Sequence, residues 1–351
     1  MASIALEPVV NEAVAAEACR GLTSVPKTLA PWLFYDEAGS HLFEQITALP
    51  EYYLTRTERS IFTAHANEIF SILGCLPEPG CPKSDTPGGT SPDVGIPLTV
   101  AELGAGTASK TGILLRALTH RQPTVLYQPI DISPTALDEA RQTIEQTIPG
   151  VVVRPQLANY ITDPIHIARQ PGAKVLTLYI GSSIGNFAPS EACAILTRLR
   201  AQLQRGDALL LGVDLAPSST KSVATLLAAY DDAAGVTAAF NRNILTRLNR
   251  ELGADFRLDR FAHRALWNPT HSRIEMHLES QTRQTVHISA LSEESAGLTL
   301  HFAPGETIHT ENSYKFTRSA IDALLTASGF TFTRTFTDPQ GLFAVTLAMA
   351  S

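Results

Sequence analysis

The sequence predicts an α/β fold: a mostly parallel sheet, closed by an antiparallel C-terminal hairpin and interrupted by a separate α+β segment. Three observations lead there. A strand-type run, Leu98-Thr-Val-Ala-Glu-Leu103, passes through a small-residue turn, Gly104 to Lys110, into an apolar helical pattern from Thr111 to Leu118. Strand-like and helix-like runs then alternate as far as Asp214, the pattern of βαβ units and a parallel sheet. The chain closes on two strand-like runs joined by Asp338-Pro-Gln-Gly341, a turn that pairs strands in opposite directions.

Taken in order, residues 1 to 30 are Ala-rich and weakly helical, with Pro26 and Pro31 bounding a short extended entry. The aromatic-rich stretch Trp32 to Arg56 follows, with Ser40 the expected N-cap of a helix containing Leu42, Phe43 and Ile46. A helix is expected over Arg56 to Leu73. Between Gly74 and Pro97, eight Pro and Gly residues from Pro77 to Pro92 mark a surface loop or linker. Beyond it come strand Leu98 to Leu103, strand Val125 to Ile130, helix Pro134 to Gln146, strands Val151 to Gln156 and Val175 to Ile180, and strand Ala208 to Val213 ending at Asp214. A helix from Ser219 to Leu252, broken near Asp231 and Gly235, opens an insert of about a hundred residues. Short strands continue it at Ser272 to Ser280, Thr285 to Ala290 and Leu298 to Phe302, so the insert reads as α+β. Helix Arg318 to Ser328 and the hairpin Phe330 to Thr337 with Leu342 to Met349 complete the chain. The expected organisation is thus 1–60 serving a substrate-binding part, 61–215 a ligand-binding α/β domain, 216–316 the substrate-binding insert, and 317–351 completing the α/β domain.

At 351 residues and 44 % hydrophobic content the chain is long enough for one large or two modest domains with buried cores. A formal net charge of −7 without a basic cluster argues against nucleic acid, whose phosphates would require grouped Lys and Arg. No apolar run reaches the roughly 20 residues needed to span a bilayer, and Glu7, Glu12 and Glu17 give an acidic start, so a cytoplasmic location is expected. Cys19, Cys75, Cys81 and Cys193 have no metal-ligand spacing and form no disulfide framework; reduced thiols and no metal are expected. Nothing signals an interface, so a monomer is expected.

Gly104 and Gly106 allow a sharp turn and close approach of a flat or anionic ligand. Asp131, ending the next strand, stands where a carboxylate meets a ribose hydroxyl pair. The unit reads as nucleoside-binding. A dinucleotide fingerprint needs a third Gly, but Ser109 stands there, which disfavours pyrophosphate. Glu102, beside the glycines, instead suits a cationic sulfonium with an amino-acid tail, as in S-adenosylmethionine. A parallel sheet finished by an antiparallel hairpin is also the arrangement of class I (Rossmann-like) methyltransferases.

Five stretches resemble one family. They are the Trp32 to Arg56 segment ending Leu-Pro-Glu-Tyr-Tyr-Leu-Thr-Arg, Glu102-Leu-Gly-Ala-Gly-Thr, Gly181-Ser-Ser-Ile-Gly-Asn186, the run Tyr230 to Asn243, and Thr310-Glu-Asn-Ser-Tyr-Lys-Phe316. Together they are similar to the histidine-specific Nα-methyltransferases of ergothioneine biosynthesis, and the resemblance extends from about Pro26 to the C-terminus. It implies trimethylation of the α-amine of L-histidine by S-adenosylmethionine, giving hercynine.

The resemblance places the cofactor at Gly104, Lys110 and Asp131, with Asn159 and Tyr160 at the adenine. An Asp is usual where Asn159 stands; an amide oxygen still accepts from the adenine amino group, so a weakened contact is expected. Asn186 and Tyr230 are assigned to the histidine carboxylate, which an amide and a phenol can hold without an Arg, and the Gly181 carbonyl lies by the amine. Glu311 and Ser313 would read the imidazole from one side and Tyr52 from the other, with Met276 as a wall. Tyr35 is assigned near the amine as its proton acceptor. Two other readings fit the same glycines: methylation of a different amine on this scaffold, and a non-catalytic regulator that retains the cofactor fold.

Overall fold

The computed structural model describes residues 11–75, 96–289 and 297–351. The expected loop over 74–97 therefore lies almost wholly outside the described residues, as do Cys81 and the end of the strand expected at Thr285 to Ala290. The chain divides into two units, Met1–Tyr53 with Ser222–Tyr314, and Leu54–Lys221 with Lys315–Ser351.

The second unit is built on an eight-stranded sheet. Leu98–Leu103 lies centrally between Lys174–Tyr179 and Val125–Asp131, all parallel, and Ala208–Asp214 extends the parallel set beyond Lys174–Tyr179. On the far side Val125–Asp131 pairs with Val151–Val153 and then with Gln156–Leu157. One strand was expected there, but Arg154 and Pro155 are exposed and divide it in two. Phe343–Ala350 enters antiparallel beside Ala208–Asp214, and Phe330–Thr337 pairs outside it, giving the expected C-terminal hairpin. The central strands are buried along their whole length because helices cover both faces of a parallel sheet, and this explains their unbroken Val, Leu and Ala runs. Strand order reverses around Leu98–Leu103, so its carboxyl end and those of its two neighbours form the crevice where open α/β sheets bind ligands.

The first unit carries a four-stranded sheet in the order Lys27–Thr28, Thr307–Tyr314, Arg273–Ser280, Phe261–Asn268, and a separate hairpin of Gln284–Ile288 with Leu298–Phe302. One of these strands, Phe261–Asn268, was not anticipated. The expected long helix is two helices, Val223–Ala228 and Val236–Leu252, and the break falls at Gly235, whose left-handed φ of 75° caps the second. The aromatic-rich segment forms a helix over Glu37–Ala48. Its N-cap is Asp36 rather than Ser40: the Asp36 carboxylate accepts from Gly39 N at 2.8 Å, and starting a turn earlier satisfies an otherwise orphaned amide, worth about 1 kcal/mol. No helix among the described residues is long and apolar enough to cross a membrane.

Candidate active site

In the second unit, Gly104 and Gly106 adopt left-handed φ values of 66° and 51°, and Ala108 follows at 53°. The turn is anchored by Gly104 N donating to Ile130 O at 2.8 Å. Asp131, at the end of the adjacent strand, accepts from Gly106 N through Oδ2 and from Ser133 N through Oδ1, both at 2.9 Å. One carboxylate thus ties two loops, and each of its oxygens retains a second lone pair that can accept from a hydroxyl. A Cβ on Gly106 would meet nothing within 4 Å, so the turn leaves open space beside bare backbone, while one on Gly104 would lie 3.5 Å from the Tyr160 ring. Tyr160 packs edge-on against Tyr179 with ring centroids 5.6 Å apart. Asn159 is a turn residue here, its Oδ1 accepting from Ile161 N at 3.0 Å. An acidic residue, open backbone and an aromatic ring around one turn are the donor set a nucleoside needs.

Glu102 is not positioned as expected. It is 2 % exposed, and its Oε2 accepts from Tyr127 Oη at 2.5 Å and Thr111 Oγ1 at 2.7 Å. Burial pushes its carboxyl up to about 7. Its place on the strand rather than after it makes it a core carboxyl under the turn, since every side chain of Leu98–Leu103 is buried.

A different acid does reach the turn. Glu58, fully buried on the helix Tyr53–Ile72, pairs with Lys110 Nζ and accepts from Gly181 N at 2.9 Å through Oε1 and 3.0 Å through Oε2. Gly181 takes a φ of 76° two residues beyond the end of strand Lys174–Tyr179, and Asn186 ends the short 3-10 helix Ser183–Asn186 that follows. Glu58 was missed in the sequence, although a signal was present: it occupies the apolar stripe of Leu54, Ile61, Phe62 and Ile69, where an unpaired carboxylate would be costly.

In the first unit the site residues are aimed by a β-bulge. His309 pairs with His277, but the next partner of Met276 is Glu311, so Thr310 is the extra residue. In regular alternation Glu311 would face Glu275, two like charges on the side of Arg273 and His277. The bulge instead brings Glu311 opposite Met276 and Ser313 opposite Ile274, on the buried face. Glu311 and Ser313 are 8 % and 3 % exposed. Thr310 Oγ1 donates to Asn241 Oδ1 at 2.7 Å and lies 3.0 Å from Met276 O. Asn241 Nδ2 then donates to His263 Nδ1 at 2.8 Å, so the neutral His263 carries its proton on Nε2 and donates to Tyr230 O at 2.8 Å. Burial lowers the His263 pKa and favours this neutral form.

Tyr230 Oη lies 2.7 Å from Ser313 Oγ, and its ring meets Tyr52 edge-on at 6.2 Å. Tyr52 in turn contacts Phe43, and Phe43 contacts Tyr35, whose ring also lies 5.9 Å from Phe240. Of the residues expected around a histidine, Tyr35, Tyr52, Tyr230, Met276, Glu311 and Ser313 belong to this unit, whereas Gly181 and Asn186 belong to the other together with Gly104, Lys110, Asp131, Asn159 and Tyr160. Among the described residues no group of three or more His, Cys, Asp or Glu side chains is arranged to hold a metal ion.

The sheet order, the glycine turn and the aspartate ending the next strand define an S-adenosylmethionine-dependent methyltransferase with the class I fold. Residues 14–350 match the family described as histidine-specific methyltransferase, SAM-dependent, and the chain belongs to that family. It is 40 % identical over 341 residues to histidine N-alpha-methyltransferase of Mycolicibacterium smegmatis, covering 95 % of this chain and 96 % of that one. It is also 40 % identical over 328 residues to the protein of the same name from Mycobacterium tuberculosis, covering 93 % and 92 %. Ergothioneine biosynthesis protein 1 of Schizosaccharomyces pombe shares 30 % identity over 228 residues, 63 % of this chain and 26 % of that longer protein.

Proposed function

We propose that the protein methylates the α-amine of L-histidine three times at the expense of S-adenosylmethionine, giving hercynine, the first step of ergothioneine biosynthesis. The observation that carries the substrate is the pairing of Glu311 and Ser313 on one buried face, next to the Tyr230 hydroxyl. A carboxylate that accepts from a ring N–H, beside a hydroxyl, discriminates imidazole from an apolar ring, because an apolar ring would leave those groups unpaired.

Gly104, Lys110 and Asp131 hold the cofactor, with Asn159 and Tyr160 at its adenine; when bound, it supplies an electrophilic methyl group. Asn159 Oδ1 has one lone pair left for the adenine amino group after its bond to Ile161 N. Asn186 and Tyr230 hold the histidine carboxylate, the Gly181 carbonyl orients the amine, Tyr52 flanks the imidazole, and Met276 forms a wall. An ammonium has no lone pair, so the amine must be bound neutral and aimed, and positioning supplies most of the catalysis. Tyr35 accepts the amine proton, directly or through water. Three rounds require space around the nitrogen for the methyls already added.

The test is mass spectrometry of products from histidine and S-adenosylmethionine, expected to show the trimethylated betaine. Calorimetry with histidine, tryptophan and other amino acids in the presence of S-adenosylhomocysteine separates the readings, and absence of histidine binding would exclude this one. The protein is expected to act as a monomer, which a solution mass measurement checks.

A further inference from the structure

Lys110 pairs with one buried carboxyl group, Glu58, and acts electrostatically on a second, Glu102, and only one of them has a task inside the core. Glu102 is held by Tyr127 and Thr111 beneath the turn. Glu58 comes from a helix instead, and it receives both the Lys110 ammonium and the Gly181 amide, which belong to the loops following two adjacent parallel strands. Room for it is reserved on a third strand: a Cβ on Gly212 would lie 2.1 Å from Glu58 Oε1. A fully buried carboxylate with a dedicated glycine, an ion pair and a backbone amide is a built feature, because an uncompensated charge at that depth would be costly.

We propose that Glu58 is a positioning residue for the cofactor's cationic end: it fixes Lys110 and the Gly181 turn, and its charge favours the sulfonium cofactor over the uncharged thioether product. The inference rests on the reading that Lys110 and the glycine turn hold S-adenosylmethionine. That cofactor carries a net charge of +1 from its sulfonium, ammonium and carboxylate, whereas S-adenosylhomocysteine is a neutral zwitterion. Lys110 suits the carboxylate common to both but repels the sulfonium of one. Glu58 offsets that repulsion, and in a low-dielectric site such an offset is not screened away. Product release and reloading, needed between successive methylations, are thereby favoured.

Glu58→Gln keeps the shape and the oxygen that accepts from Gly181 while removing the charge. Calorimetry with S-adenosylmethionine and S-adenosylhomocysteine is expected to show the ratio of their affinities moving toward the product, on the order of tenfold. Lys110→Met is expected to weaken both ligands but to move the ratio the opposite way. A merely structural role would weaken both ligands equally in Glu58→Gln, and that result, or an unchanged ratio, overturns the inference. Should Glu58→Gln fail to fold, the direction of the ratio in Lys110→Met decides: no shift toward S-adenosylmethionine overturns it. A wild-type chain that binds neither ligand would overturn the cofactor reading itself, a result distinct from an unchanged ratio.

Discussion

The hydroxyls of Tyr230 and Ser313 lie 2.7 Å apart, joining the segment that follows the Val223–Ala228 helix to the strand Thr307–Tyr314 across 83 residues of sequence. Both side chains are buried, so the bond fixes together two groups proposed above to read the substrate. Tyr230→Phe removes it while keeping the ring against Tyr52. Histidine affinity is expected to fall about 5- to 30-fold, the loss of one buried hydrogen bond, with S-adenosylhomocysteine affinity unchanged in the same titration.

Glu311→Ala removes the acceptor assigned to the imidazole. Histidine binding is expected to weaken about 100-fold, and cofactor binding within about twofold of wild type, when the two ligands are titrated separately. Equal losses in both would mean that Glu311 serves the fold and does not touch the substrate.

Thr310 owes its importance to being the extra residue of the bulge. Deleting it joins His309 directly to Glu311, so Glu311 stays opposite Met276 and Ser313 opposite Ile274 in an unbulged ladder. The milder Thr310→Val keeps the register but removes the hydroxyl that donates to Asn241, and urea unfolding should show a loss of about 1–3 kcal/mol.

Glu102 gives a pH dependence of definite sign. Its carboxyl is raised by burial from 4.5 in an exposed state to about 7 in the folded chain. A raised carboxyl contributes stability that is complete below about 4.5 and is lost as pH rises through about 7. In Glu102→Gln the amide oxygen still accepts from Tyr127 and Thr111, and the ionisation is gone. Relative to wild type, this variant is expected to gain about 3 kcal/mol between about pH 5 and pH 8 in urea unfolding followed at both values. A constant difference would show that Glu102 does not titrate in that window.

Much of the second unit was legible before any coordinates. Short Val, Leu and Ala runs flanked by Gly turns read as strands of a sheet buried on both faces, and a glycine pair after one strand with an acid after the next marks the turn that Asp131 ties to its own loop. These are local signals, written within a few residues. In the first unit, the broken helix at Gly235 was legible for the same reason, and strand Phe261–Asn268 was not, because its exposed edge mixes Arg264 and Leu266 without clean alternation.

What the sequence by itself determined was therefore the element order, the parallel sheet with its terminal hairpin, and the glycine turn with Asp131, each following from side-chain shape or backbone freedom over short range. The tertiary structure alone decided which carboxylate faces what. Glu102 and Glu58 are the same residue type, yet one is held under the turn by Tyr127 and Thr111 while the other holds Lys110 and Gly181. Likewise one extra residue at Thr310 sends Glu311 to the buried face. Strand register and helix docking set these outcomes, and both arise from pairings between residues far apart in the chain, which no local pattern records.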